Sequence, residues 1–305
     1  MTGGKTALVT GACGFLGSRI ASQLAATGYR VVGLDREIGR APRGVECRAM
    51  SLPDDALADV LAAEAPSLVV HTAGPASVVG SVVDPLADFE GSVRVHAHLL
   101  DAVRRSAPDA RVIALSSAAV YGNPVSLPIA ENAPLAPISP YGHHKVMCEV
   151  LMREYADVYS MNTCVLRIFS AYGAGLRRQL LWDVCEKASQ GTVRLFGTGE
   201  ETRDFIHADD VARAVLVLAH AAAFEGEAYN AAAGVETSVR ELVTTLVGEI
   251  APGAPIEFSG EVRAGDPLRW RADISAIRAL GFEPSLSLDD GLAEYAAWYR
   301  DVTRT

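Results

Sequence analysis

Thr10-Gly11-Ala12-Cys13-Gly14-Phe15-Leu16-Gly17 joins an apolar run, Thr6–Thr10, to an amphipathic segment over residues 15–27. Its glycines follow the spacing G-x-x-G-x-x-G. Such glycines permit a tight turn, close backbone approach to a pyrophosphate and close helix–strand packing, while the helix N-terminus attracts the anion. Cys13, Phe15 and Leu16 are carried on this turn and are expected beside the dinucleotide with Gly11, Gly14 and Gly17. The next apolar run, Arg30–Asp35, ends on an acid. A carboxylate there suits the adenosine ribose hydroxyls of NAD and repels a 2′-phosphate, whereas the adjoining Arg36 suits one. NAD is therefore the expected cofactor, with NADP left open by Arg36.

Working outward, residues 68–71, 111–116 and 163–169 form further apolar runs, with amphipathic stretches such as 86–105 between them. Near-continuous apolar strands separated by helices predict a parallel sheet covered on both faces. That rhythm holds to about residue 173. Beyond it, shorter strands (193–196, 204–206) and helices (211–222, 239–250, 289–299) are linked by Gly- and Pro-rich connections. The expected fold is α/β, a Rossmann-type doubly wound parallel sheet with a smaller C-terminal α+β lobe. A dinucleotide domain is expected over residues 1–173, with some later segments crossing back, and a substrate lobe mainly over 174–305.

The 305 residues carry 27 Lys and Arg against 37 Asp and Glu, a net charge of −10. No nucleic-acid or membrane-surface partner is expected of such a chain, and an anionic ligand must be met by a few placed arginines. The longest membrane-span candidate, residues 211–224, is interrupted by Arg213 and His220. The first residues run straight into a strand pattern without a leader-like apolar core. The five cysteines are scattered without a C-x-x-C, and no histidine pair has ligand spacing. Neither a metal site nor a disulfide framework is expected, and a cytoplasmic location fits.

Ser116-Ser117-Ala118-Ala119-Val120-Tyr121-Gly122 ends one strand, and Tyr141-Gly142-His143-His144-Lys145 opens a helix. Tyr141 and Lys145 are four residues apart and share a helix face. A free tyrosine titrates near pH 10, so a base working near pH 7 needs about 4 kcal/mol of differential stabilisation. A nearby ammonium and a positive nicotinamide ring supply it, and a serine hydroxyl shares the hydrogen bond. Arg177 and Arg178, at the entry to the second lobe, are candidate phosphate ligands. His143 and His144 point off the Tyr–Lys face, His71 ends a strand near the cofactor, and Trp182, Trp270 and Trp298 read as packing residues.

With His71-Thr72-Ala73-Gly74, Arg203-Asp204-Phe205-Ile206-His207, Arg263-Ala264-Gly265-Asp266 and Leu280-Gly281-Phe282-Glu283-Pro284, these stretches resemble the extended short-chain dehydrogenase/reductases over nearly the whole chain. The resemblance is to their sugar-nucleotide epimerase/dehydratase branch, nearest its UDP-galactose 4-epimerase-like enzymes. It implies that Ser117, Tyr141 and Lys145 are catalytic, with Lys145 also bonding the nicotinamide ribose. Ser51, Leu52, Thr72, Ala73, Gly74, Ala76 and Ser116 fall at cofactor positions. Arg203 and Arg263 fall where the diphosphate of a nucleotide sugar is held, Asp266 where the nucleoside ribose is, and Ser170 and Arg178 on the substrate side. A homodimer through helices near 86–105 and 141–159 is also implied. The chain departs from the family at Ser170 and Gly91 (often Asn), Ser51 (often Asp) and Ala76 (often a long side chain).

Dehydratases of this branch carry an acidic pair after the catalytic hydroxyl, and 3,5-epimerases a cysteine beside the serine. Here those places are Ala118 and Ala119, which transfer no proton. Hydride chemistry at one carbon remains. Either a 4-epimerase, working through a transient 4-keto sugar with Tyr141 as acid and base, or an NAD(P)H-dependent 4-ketoreductase uses this residue set. Asp35 puts the epimerase first. A non-catalytic dinucleotide sensor would have no need of Ser117, Tyr141 and Lys145 together.

Overall fold

The computed structural model describes residues 5–261 and 267–304. Seven strands form one sheet: β1 (Thr6–Thr10), β2 (Arg30–Asp35), β3 (Glu46–Ala49), β4 (Leu68–His71), β5 (Arg111–Ser117), β6 (Thr163–Ile168) and β7 (Glu225–Ala231). Their order is β7-β6-β5-β4-β1-β2-β3, and every neighbouring pair is parallel. Helices α1 (Phe15–Ala26), α2 (Ala56–Glu64), α3 (Val95–Ser106) and α4 (Pro140–Tyr159) cover the two faces.

Alternation along the strands divides the core. Leu8, Val32, Val69 and Val112 pack with Leu57, Leu61, Leu99 and Val103 of α2 and α3. Their neighbours Val9, Val31, Val70 and Ile113 face Ile20 and Leu24 of α1 on the other side. Burying each such side chain stabilises the fold by about 1.5–3 kcal/mol.

After residue 173 the chain builds α5 (Gln179–Ser189), α6 (Ala208–Ala221), α7 (Val239–Ile250) and α8 (Leu288–Thr303). Of these, α6 packs on α1, and β7 directly after it joins the main sheet beside β6. The other three enclose a third core of Leu181, Val184, Leu242, Leu246, Leu292 and Tyr295. Short ribbons complete this lobe: Ser170–Tyr172 with Phe205–His207, Thr202–Arg203 with Thr237–Ser238, and Val193–Leu195 with Ile256–Phe258.

The amphipathic stretch over 86–105 is not one helix, as the sequence suggested. Val78–Val83 and Pro85–Phe89 are separate short helices, followed by a π-helical turn at Glu90–Arg94 before α3. Asp84 caps the second by accepting from the Ala87 N–H at 2.9 Å, and Pro85 starts it. Among the described residues no helix is long and apolar enough to cross a membrane.

Candidate active site

The carboxyl ends of the strands open into a cleft of about 1360 Å³. Strand order reverses between β1 and β4, the crevice where open α/β sheets bind ligands. The cleft wall carries Gly11, Gly14, Phe15, Leu16 and Gly17 of the first turn, then Asp35, Arg36, Ser51 and Leu52. Thr72, Ala73, Gly74, Ala76 and Ser116 continue it towards Ser117, Tyr141 and Lys145, with Ser170, Arg178 and Arg203 on the far side. Cys13 is not on this wall. Arg263 and Asp266 lie outside the described residues.

The turn is shaped by close approach. Gly11 has φ +70°, and a Cβ there would lie 2.8 Å from the Ala73 nitrogen and the Thr72 Oγ1. At Gly17 a Cβ would lie 2.0 Å from the Gly11 carbonyl oxygen. No side chain caps α1 at Gly14, which leaves its first-turn N–H groups for an anion. The Cys13 N–H donates to Asp35 Oδ2 at 2.9 Å, so the carboxylate is fixed at the end of β2. A glycine cradle, an uncapped helix and a fixed acid in one crevice fit a dinucleotide with free ribose hydroxyls.

Ser139 starts α4 by accepting from the Gly142 N–H at 3.2 Å, and Pro140 occupies the first turn. That places Tyr141 at the cleft, where its N–H donates to Ser81 Oγ at 3.0 Å. One turn later the Lys145 Nζ donates to the Leu115 carbonyl at 3.1 Å and lies 5.7 Å from the Tyr141 ring centre. Ser117 ends β5 and accepts from the Ala119 N–H at 3.2 Å. His71 is buried behind them, 2.7 Å from Thr10 Oγ1. Burial and the Lys145 charge push it down to about 3, so it is neutral at ordinary pH.

Tyr141, Lys145 and Glu149 occupy successive turns of one helix face. Glu149 accepts from Ser116 Oγ at 2.5 Å and from the Arg167 Nε and Nη2 at 3.1 and 2.7 Å. Arg167 Nη1 donates in turn to the Tyr121 hydroxyl at 2.8 Å, which donates to Asn230 Oδ1 at 2.7 Å. The Asn230 amide reaches the Ile129 and Asp273 carbonyls at 2.9 and 3.1 Å. This buried chain locks the Tyr–Lys helix to β5, β6 and β7.

On the substrate side Arg203 lies 5.6 Å over the Trp270 ring and donates to the Thr202 carbonyl at 2.8 Å. Its neighbour Asp204 is fully buried and accepts from Ala233, Gly234 and Ala272 N–H groups at 2.9, 3.0 and 3.0 Å. Burial outweighs those bonds and pushes its carboxyl up to about 7. Arg177 is drawn away from the cleft, 5.8 Å from both Trp182 and Trp298. His144 is buried against Asp88 at 2.6 Å, and His207 caps α6 by accepting from the Asp209 N–H at 3.3 Å.

Several wall residues escaped the sequence reading. Trp270 does pack, donating to the Gly122 carbonyl at 3.0 Å, but it also faces the cleft. Phe196, 52% exposed, lines the same cleft, as do Ser139 and the Lys187–Asp183 pair at 2.7 Å. Nothing local marks Phe196 or Lys187. Glu149 carried a signal, being an acid on the Tyr–Lys helix face.

The sequence profile of the NAD dependent epimerase/dehydratase family matches residues 7–232. The UDP-glucose 4-epimerase of Mycolicibacterium smegmatis is 34% identical, over 97% of this chain and 99% of that protein. A putative UDP-glucose 4-epimerase of Methanocaldococcus jannaschii is 31% identical, over 98% and 99%. Among solved structures, MoeE5 in complex with UDP-glucose and NAD is similar with a TM-score of 0.87 and 30% identity, covering 97% of this chain and 99% of its own. The UDP-N-acetylglucosamine 4-epimerase of Methanobrevibacter ruminantium M1 reaches a TM-score of 0.89 at 25% identity, over 98% and 99%.

Proposed function

The chain belongs to the NAD-dependent epimerase/dehydratase family and is an NAD-using enzyme of the extended short-chain dehydrogenase/reductase type; from that premise we propose that it interconverts the C4 epimers of a UDP-hexose. The observation that carries this reading is local. Ser117, Tyr141 and Lys145 meet on one cleft wall, while Ala118 and Ala119 follow the serine.

Bound NAD supplies the hydride acceptor and donor at the sugar carbon. Its holders are the glycine turn, Asp35 and Lys145. Tyr141 takes the proton of the C4 hydroxyl as that carbon becomes a ketone. Lys145 stabilises the phenolate by its charge, and Ser117 hydrogen-bonds the same oxygen. The keto sugar turns over, and Tyr141 returns the proton once the opposite face of C4 has been reduced. Ala118 and Ala119 offer no acid to expel water from C5–C6, so the ring keeps its C6 hydroxyl. Arg203 and Arg178 meet the diphosphate, for which the guanidinium fork is suited. Arg263 and Asp266 are assigned the same nucleotide by family position.

A homodimer accompanies this reading. Val83 (81% exposed) and Leu86, before α3, and Met147 and Val150 (60%), on α4, present apolar side chains to solvent.

Purified protein incubated with UDP-glucose or UDP-galactose and no added cofactor tests the proposal. The expected outcome is one C4 epimer formed from the other. Turnover only of a 4-keto sugar, with stoichiometric reduced nicotinamide, would replace the epimerase by a ketoreductase.

A further inference from the structure

We infer that Cys13 and Cys47 form an oxidation site, in which a peroxide joins the two thiols as a disulfide and loosens the grip of the glycine turn on the dinucleotide. Their sulfurs lie 4.0 Å apart, although 34 residues separate them in sequence. Both are partly exposed, whereas Cys148, Cys164 and Cys185 are buried.

The pair meets because of Gly33. In the β2–β3 register Gly33 stands opposite Cys47, and a Cβ at Gly33 would lie 2.9 Å from the Cys47 sulfur and 2.7 Å from the Ala12 Cβ. The missing side chain leaves room for the edge-strand thiol beneath the first turn. A disulfide needs its sulfurs about 2.05 Å apart. Closing the gap therefore draws Cys13 and the edge strand together by roughly 2 Å of sulfur travel. Cys13 is no neutral place to pull. Its N–H holds Asp35 at 2.9 Å, and Gly11 and Gly14 on either side form the cleft wall.

The chemistry balances with hydrogen peroxide. One thiolate attacks a peroxide oxygen, giving a sulfenic acid and hydroxide, which takes up the proton the thiol released. The second thiol then displaces the sulfenic oxygen as water. Two thiols and one peroxide become one disulfide and two waters, the sulfurs losing two electrons in all. Burial, Cys47 and Asp35 push the Cys13 thiol up to about 11, and burial raises Cys47 as well. Thiolate is scarce at neutral pH, so the reaction is slow there and is best followed at pH 8.5.

The test uses the full chain, treated with hydrogen peroxide at pH 8.5 and then titrated calorimetrically with NAD. The expected result is a mass loss of about 2 Da, a linked Cys13–Cys47 peptide and an NAD Kd raised about tenfold, all reversed by dithiothreitol. Cys47→Ser and Cys47→Ala should bind NAD normally before treatment and show none of these changes after it. Absence of the linked peptide would overturn the inference. So would a linked protein with unchanged Kd, or an equal loss of affinity in the Cys47 variants. No readout requires turnover, so this test stands apart from that of the epimerase.

Discussion

Replacing Glu149 with Gln should destabilise the protein sharply, although Glu149 itself is not on the cleft wall. Glu149 and Arg167 are both nearly buried, with side chains 8% and 7% exposed. The carboxylate accepts from Ser116 and, through both oxygens, from Arg167. An amide keeps one acceptor but turns an NH2 towards the guanidinium, so a buried positive charge loses its counter-ion. Breaking such a pair from one side costs about 3–5 kcal/mol. At roughly 2–4 °C per kcal/mol for a chain of a few hundred residues, a fall in Tm of about 6–20 °C is expected. Thermal unfolding by circular dichroism at matched NAD concentration reads it. Adding Arg167→Met should recover part of the loss, because an apolar side chain of similar length in place of the guanidinium removes the buried charge left without a counter-ion. A Glu149→Gln protein within about 1 °C of wild type would refute the reasoning, as would a double variant less stable than the single.

Other expectations follow from single contacts. Gly17→Ala sets a Cβ against the Gly11 carbonyl, so NAD affinity measured by calorimetry should fall at least about 100-fold, a loss of about 2.7 kcal/mol. Asp204 has a folded pKa of about 7, above its ordinary 3.8, so the fold holds the proton more tightly than the unfolded chain. Its stabilisation is full below about pH 4 and is lost as pH rises to about 7. Urea midpoints for Asp204→Asn should accordingly fall less between pH 5 and 7 than those of wild type, and a parallel fall would exclude that role. Val150→Glu should turn a dimer into a monomer by light scattering without loss of NAD binding; an unchanged dimer mass would move the interface elsewhere.

Much of the nucleotide half was legible because its signals are local. The runs at β1, β2, β4, β5 and β6 are near-continuous and apolar, and the glycine spacing depends on backbone approach that only glycine allows. Two strands of the sheet left no such trace. β3, Glu46-Cys47-Arg48-Ala49, lies at one edge, and its Glu46 and Arg48 pair with Arg30 and Glu64 at the surface. β7 reads Glu225-Gly226-Glu227-Ala228-Tyr229-Asn230-Ala231, polar and small, and is held partly by Asn230 bonds to distant segments. The proposed catalytic set rests on residues visible in the sequence, Tyr141 and Lys145 on one helix face and Ser117 at a strand end, which the structure brings to one cleft wall. What orients it was not visible there. Glu149, Arg167 and Asn230 come from α4, β6 and β7 and Tyr121 from the turn after β5, and only the sheet order brings them together. Phe196 and Trp270 show the same limit, since an aromatic residue looks alike in sequence whether it fills a core or lines a cleft.

Deuterium placed at C4 shows whether the chemistry is confined to that carbon. UDP-glucose deuterated at C4 is turned over by the purified protein and the product is examined by NMR. The expected product is UDP-galactose with deuterium retained at C4 and an intact C6 hydroxymethyl group. Deuterium transferred to a C6 methyl group, or exchanged for solvent hydrogen, would contradict the assignment of Tyr141, Ser117 and the two alanines to a one-carbon epimerisation.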